Sequence, residues 1–204
     1  MKRKLRQQKL LERLKHQTSA KASKSHKIIS KLQKFSIFKK AKNILLYLPI
    51  HGEVDLTSLI TKKNDMDHDR GKSKGKQKSF ILPRVNGKKL DLFYVKNIDE
   101  VEMAKFKVLE PKKHLPKAKI KEIDLILTPG IVFSIDGHRI GYGKGFYDRL
   151  LKKAKCPKIG IAYDFQIVKN TAAEKHDVPM DMIITEKRII KPRINLLSPS
   201  RLVK

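Results

Sequence analysis

Cysteine is almost absent: Cys156 is the only one among 204 residues, so no intrachain disulfide can form and the chain fits a reducing compartment. A lone thiol is a weak candidate for a nucleophile, and no Ser-centred nucleophile motif takes its place. Zinc-finger spacings are missing, as is a recognisable aromatic RNA-binding motif. Residues 1–27 hold no continuous apolar segment of signal-peptide type, and no stretch approaches the ~20 apolar residues that span a bilayer. These absences lead to the expectation of a soluble, cytoplasmic protein without a membrane partner. Acids are scarce too: 20 Asp and Glu against 48 Lys and Arg give a formal charge of +28. Such charge attracts nucleic acid, anionic membrane or polyanionic small molecules, and does not choose among them.

What is present suffices for one core. With 40% hydrophobic residues, a single domain over residues 1–204 is expected. Residues 1–43 carry 15 Lys or Arg and one acid, Glu12. This basic arm can make non-specific RNA contacts, which gives an alternative reading as an RNA-binding or assembly protein; a solvated basic face is the plainer one. Residues 2–16 are good helix formers, with Leu10, Leu11 and Leu14 as part of an apolar stripe. A second helical pattern runs through Ile28, Ile29, Leu32 and Phe35, and the two can pack as a pair over a sheet.

Short apolar runs then predict strands: "NILLYLPI" at 43–50, "SFILPRV" at 79–85, "LDLFYV" at 90–95 after an "NGKK" turn, "IDLILTP" at 123–129, "KIGIAY" at 158–163 and "DMIIT" at 181–185. Asp55 is placed to cap a helix opening at Leu56. Strands separated by helical patterns predict an α/β fold, a three-layer α/β/α domain with a mostly parallel, Rossmann-like central sheet and N-terminal helices. Residues 61–78 are polar, charged and aperiodic, and are expected as an exposed basic loop. Asp65, Asp67 and Asp69 alternate there as in part of a calcium loop, but the terminal Glu is missing.

"DGHRIGYGKGFYDRLLKK", residues 136–153, is the strongest local candidate for chemistry. Arg139 can hold phosphate oxygens, Gly141, Gly143 and Gly145 let backbone N–H groups approach the same anion, Lys144 adds charge, and a helix beginning near Gly145 would aim its free N–H groups there. Asp148 can coordinate magnesium, or cap the helix and pair with Arg149. The spacing is neither a Walker loop nor a dinucleotide fingerprint, so an ordinary turn remains open. Glu53 can point from the sheet edge toward a ligand or sit on the surface. Tyr47 can stack on an aromatic ring or fill the core. Arg84, Asp177 and Asp181 are further candidates, and the adjacency of His176 and Asp177 does not establish a catalytic pair.

The ordered set of motifs is more specific than any one of them. "KRKLR" at the start, "YLPIHGEVD" at 47–55, "ILPRV" at 81–85, "LEP" at 109–111, "DLILTPGIVFSIDGHRIGYGKGFYDRLL" at 124–151, "AYDFQ" at 162–166 and "HDVPMDMIITE" at 176–186 make the chain resemble the 5-formyltetrahydrofolate cyclo-ligases, also called methenyltetrahydrofolate synthetases, over almost its full length. The resemblance implies ATP-dependent conversion of 5-formyltetrahydrofolate to 5,10-methenyltetrahydrofolate, with magnesium as cofactor, ATP as co-substrate and a monomeric enzyme. By similarity Lys2 and Arg6 contact ATP; Arg139 and the loop Gly141, Tyr142, Gly143, Lys144 and Gly145 hold its phosphates, with Arg139 and Lys144 catalytic. Asp148, then Asp177, would associate with magnesium. Tyr47, Glu53, Tyr147 and Gln166 would line the folate side, Tyr147 also meeting the nucleotide. Two positions depart from the family pattern. Ser134 stands where many members have Asp, and Phe146 replaces the first Tyr of a Tyr-Tyr-Asp-Arg run, losing a hydroxyl but keeping aromatic packing.

Overall fold

A computed structural model describes residues 1–15, 18–61, 78–104, 108–174 and 177–192. The segment expected as a basic loop at 61–78 lies almost wholly outside them, as does His176. The six predicted strands, β1 (Asn43–Leu45), β2 (Ser79–Asn86), β3 (Lys89–Val95), β6 (Leu125–Thr128), β9 (Lys158–Ile161) and β11 (Met182–Ile184), gather in one seven-stranded sheet with a short edge strand that the apolar runs do not predict, β12 (Ile189–Ile190), in the order β12-β11-β9-β6-β1-β2-β3. The inner pairings are parallel, while β3 and β12 are antiparallel edges. The mostly parallel sheet is therefore as the apolar runs imply.

Both faces are covered, which is why these strands read as continuous apolar runs rather than alternating ones. On one face Ile44, Phe80, Leu82, Leu125, Leu127 and Ile159 meet Ile28, Ile29 and Leu32 of α2 (Thr18–Lys34) and Phe38 of α3 (Ser36–Lys40). On the other, Leu45, Ile81, Ile126 and Ile183 meet Leu150 and Leu151 of α5 (Phe146–Lys153). Asp55 behaves as a cap: its Oδ1 accepts from the Thr57 amide at 2.8 Å just before α4 (Ser58–Thr61).

Two hairpin-scale additions complete the sheet's surroundings. β4 (Val101–Met103) pairs with β5 (Leu109–Pro111), and β7 (Val132–Ser134) lies between β8 (Arg139–Ile140) and β10 (Ile167–Val168). Phe133 of β7 is buried against two glycines. A Cβ on Gly130 would lie 2.7 Å from its ring, and one on Gly160 would lie 2.6 Å from it. Those positions are glycine because an aromatic face occupies the space a side chain needs.

The strand order creates a crevice. The chain leaves β1 toward β2 and β3 on one side, returns to β6 on the other side of β1, and continues outward through β9 to β11. The order thus reverses between β1 and β6, and in open α/β sheets the carboxyl ends of the strands flanking such a reversal form the crevice where ligands bind. β1 leaves the ladder early, at Leu45 rather than near residue 50, and runs on to a turn in which His51 and Gly52 have φ of 48° and 74°. That left-handed turn brings Glu53 back over the crevice, at a position where a non-glycine residue is strained.

Gly160→Ala is expected to lower the melting temperature by the equivalent of about 1–3 kcal/mol. The loss should shrink when combined with Phe133→Leu, because the shorter side chain vacates the space the methyl needs. Thermal melts of the two single variants and the double variant test this coupling.

Candidate active site

Helix α1 (Lys2–Lys15) closes the crevice. Its docking face is not the apolar stripe the sequence suggests: Leu11 and Leu14 are 61% and 54% exposed. Only Leu5 and Leu10 pack inward, on Ile131, Val132 and Ile140. The face that docks is basic. Lys2, Arg6, Lys9 and Arg13 follow one another at intervals of four, three and four, which places them on one side of a helix, and each reaches a partner far along the chain. Lys2 Nζ bonds Glu174 and Asp177 at 2.8 and 2.9 Å, and Lys9 donates to the Phe165 carbonyl at 2.6 Å. Arg6 donates to the Gly141 carbonyl at 2.8 Å and Arg13 to the Gly130 carbonyl at 3.2 Å.

The glycine loop forms the second wall. Gly143 and Gly145 have φ of 92° and 65°, and Gly145 is the N-cap of α5. A Cβ on Gly143 would meet the Arg6 guanidinium at 3.5 Å, so the bare backbone lets a second cation lie against the loop. Arg149 ties the loop down by bonding the carbonyls of Lys88 and Lys144, while the Lys144 side chain stays exposed. Beneath the loop Arg139, 6% exposed, donates to Asp148 Oδ1 at 2.9 Å. Burial lowers the affinity of Arg139 for its proton, with Asp148 the largest opposing influence.

Between these walls four linked polar side chains are left with unused atoms. Arg13 Nε, Glu53 Oε1, Arg139 Nε and the Tyr147 hydroxyl are all buried without a hydrogen-bond partner. Arg13 Nη1 stands 3.8 Å from Glu53 Oε1, the Arg139 guanidinium lies over the Tyr147 ring at 5.8 Å, and the charges of Glu53 and Arg139 both bear on Tyr147. Each such atom costs roughly 1–3 kcal/mol when left unsatisfied, so each calls for a partner such as a ligand or ordered water. Burial is the first cause of the Glu53 shift to about 7, opposed by Arg13 and by the Ile50 amide that Glu53 Oε2 accepts from. Burial likewise raises Tyr142 and Tyr147, and the charge of Glu53 adds to both.

Of the candidate residues, the structure brings together Arg6, Glu53, Arg139, Gly141, Tyr142, Gly143, Lys144, Gly145, Tyr147 and Asp148. Lys2 and Asp177 pair with each other at the rim. Tyr47 is core: it is 4% exposed, and its hydroxyl donates to the Val54 carbonyl at 2.9 Å. Gln166 is also committed, since its amide nitrogen donates to Gly130 and Ile131 and its oxygen accepts from the Tyr163 amide. Both support the crevice from below and neither offers it a free polar group. Arg84 pairs with Glu102 and Glu110, and Asp181 accepts from the Lys158 amide. Ser134 is buried with its hydroxyl bonded to the nearby carboxylate of Asp136. Arg13 is the residue the motif analysis missed, and its position in the 2-6-9-13 series is the signal that marks it.

Among the described residues no group of three His, Cys, Asp or Glu side chains is placed to hold a metal ion. Asp148, in the first turn of α5 just after the glycine loop, would suit a cation carried in by phosphate, since its Oδ1 accepts from Arg139 and magnesium bound with a nucleotide needs few protein carboxylates. Asp177 fits less well, because Lys2 and the Glu174 amide both bond its Oδ2.

Comparison with known proteins follows the same lines. A family model described as the 5-formyltetrahydrofolate cyclo-ligase family matches residues 1–186. The 5-formyltetrahydrofolate cyclo-ligase of Mycoplasma pneumoniae is 32% identical over 186 residues, covering 90% of this chain and 97% of that protein. The protein of the same name from Haemophilus influenzae is 31% identical over 150 residues, covering 70% and 74%. Among solved structures, the NMR structure of Aquifex aeolicus 5,10-methenyltetrahydrofolate synthetase superposes with a TM-score of 0.80 at 35% identity, over 94% of this chain and 93% of that one.

The Glu53 carboxyl provides a test of the crevice's polarity. Its folded value of about 7 lies above the ordinary 4.5, so the stability tied to its protonated form is complete below about pH 4.5 and is lost as pH rises through about 7. The loss is on the order of a few kcal/mol. Glu53→Gln should flatten this part of the profile, which denaturant titrations between about pH 5 and pH 8 would show.

Proposed function

Because this chain belongs to the 5-formyltetrahydrofolate cyclo-ligase family, we propose that it catalyses the ATP-dependent cyclisation of 5-formyltetrahydrofolate to 5,10-methenyltetrahydrofolate in the crevice between α1 and the glycine loop. The observation that carries this reading is the set of four unpartnered buried polar atoms on Arg13, Glu53, Arg139 and Tyr147. The set is divided into a cationic side under the loop and a carboxylate side under α1.

On the cationic side, Arg139 and the backbone of Gly141–Gly145 receive the triphosphate, with Lys144 and Arg6 closing from solvent and Lys2 at the rim. On the other side Glu53 orients the pterin, and Tyr147 lies between the two ligands. The formyl oxygen attacks the γ-phosphorus as the bond to ADP breaks. N10 then attacks the formyl carbon and loses its proton, and the carbon–oxygen bond breaks with the electron pair leaving on phosphate. No enzyme nucleophile is required. Phosphorylation makes a poor oxygen leaving group competent, and the protein's part is alignment and stabilisation of charge as it develops on the transferred group. Magnesium bound with the nucleotide would neutralise part of that charge, with Asp148 the nearest carboxylate. Arg139 holds Asp148 in place, and its buried Nε–H has no partner within the protein.

The basic arm takes part in this arrangement, since Lys2, Arg6, Lys9 and Arg13 all bond groups of the chain's own body.

Arg139→Ala should lower kcat at least about 100-fold, the scale of losing one charge-stabilising donor, read from the absorbance of the methenyl product. Arg139→Ala/Asp148→Asn, which removes the stranded carboxylate as well, should recover folding without recovering rate. An activity loss that tracks the loss of folded protein in both variants would remove Arg139 from the chemistry. Lys144→Ala should leave the melting temperature unchanged and raise the KM for ATP about tenfold, as expected for an exposed cation meeting phosphate. ATP titrations at saturating folate measure it.

A further inference from the structure

We infer that Arg13 is a specificity-determining residue, which together with Glu53 reads the adjoining N–H and C=O of the substrate's pyrimidinone ring. The inference rests on the cyclo-ligase reading and assigns a contact which that reading leaves open.

The geometry around Arg13 is unusual for an arginine beside a carboxylate. In a dry interior, guanidinium and carboxylate ordinarily close into a two-bond fork at about 2.8 Å. Here the shortest approach between Arg13 and Glu53 is 3.8 Å, beyond hydrogen-bond range. Other groups hold the pair apart. Arg13 Nη1 is drawn to the Gly130 carbonyl at 3.2 Å and Nη2 to the Tyr142 hydroxyl at 2.6 Å, while Glu53 Oε2 is drawn back to the Ile50 amide at 3.2 Å. Among what remains are a donor, Arg13 Nε–H, and an acceptor, Glu53 Oε1, each buried and without a hydrogen-bond partner. Both residues are almost wholly buried, at 1% and 6% exposure, so bulk water does not satisfy them.

The chemistry of the missing partner follows from this pair. An anion is disfavoured, because the Glu53 carboxylate would face it; anions belong with Arg139 and the glycine loop, where no carboxylate of that kind intervenes. A neutral edge with an acceptor next to a donor satisfies both atoms together. A cyclic amide has that edge, and in the tetrahydropterin it is C4=O beside N3–H, with the 2-amino group next in line. Arg13 then donates to the C4 oxygen while Glu53 accepts from the ring N–H side. A site built to hydrogen-bond a polar group discriminates strongly against a ligand lacking it, because its own buried atoms are left unpaired.

The test compares two ligands in one protein, so that any general loosening of α1 cancels. Dissociation constants are measured by calorimetry, without ATP, for 5-formyltetrahydrofolate and for its 4-amino-4-deoxy analogue, in which a donor replaces the C4 acceptor. Working near pH 8 keeps Glu53 ionised and the analogue uncharged. The native protein is expected to favour the 4-oxo ligand at least about 100-fold, and Arg13→Met to cut that ratio at least about tenfold. Equal weakening of both ligands in Arg13→Met would overturn the proposal and leave Arg13 as a clamp between α1 and Gly130. Equal affinity of the native protein for the two ligands would overturn it too, without any variant having to fold. Failure of the native protein to bind either ligand would instead sink the cyclo-ligase reading, and this inference with it.

Discussion

The arrangement depends on placing guanidinium charge where water does not reach. Arg13 and Arg139 are both almost fully buried, and a buried cation must find oxygen or be expelled. Their partners are the ends of β6, the hydroxyl of Tyr142 and the carboxylate of Asp148. Satisfying the two arginines therefore requires the strand ends, the glycine loop and α1 to meet at one point. The hydrophobic layers on either side of the sheet hold the frame, but they do not dictate this meeting. Each arginine also keeps a buried Nε–H without a partner, and these are what the frame leaves for a ligand.

This division suits the proposed reaction, in which a polyanion and a heterocycle have to lie next to each other. A single uniformly basic pocket would attract phosphate to both halves. Glu53 places a carboxyl on the α1 side, and at 6% exposure it shares that space with little solvent. Tyr147, with an aromatic ring under Arg139 and a hydroxyl influenced by Glu53, stands where the two halves adjoin.

Much of the frame was legible in the residues. Strands buried on both faces must be apolar at successive positions, so "LILT", "KIGI" and "FIL" announce themselves, and the glycine loop leads into α5 where the spacing places it. The site was legible in its charged loop and Glu53, and less so elsewhere. Arg13 sits in a helix so rich in Lys and Arg that one more cation reads as solvated surface, and burial of a charge is a property of tertiary contact that composition does not carry. Leu11 and Leu14 misled in the opposite direction, since helix formers on an exposed face cost little. Tyr47 and Gln166 stand close to the crevice in sequence and space, but their polar atoms are used by Val54, Gly130, Ile131 and Tyr163. Only a hydrogen-bond inventory separates such supports from residues that face a ligand.

The basic face of α1 also bears on how the protein is made. The helix is made before the groups it needs, which lie 117 to 175 residues further along the sequence: Gly130, Gly141, Phe165 and Asp177. Until those segments have been synthesised, this short cationic helix has nowhere to dock, and contacts so distant in sequence form slowly. β1, β2, β3 and β6 all precede Gly130 in the sequence and can pair in the meantime. Seating of α1 therefore waits on Phe165 and Asp177, and the step that seats this helix is also the one that brings Arg6 to the glycine loop and Arg13 to Gly130.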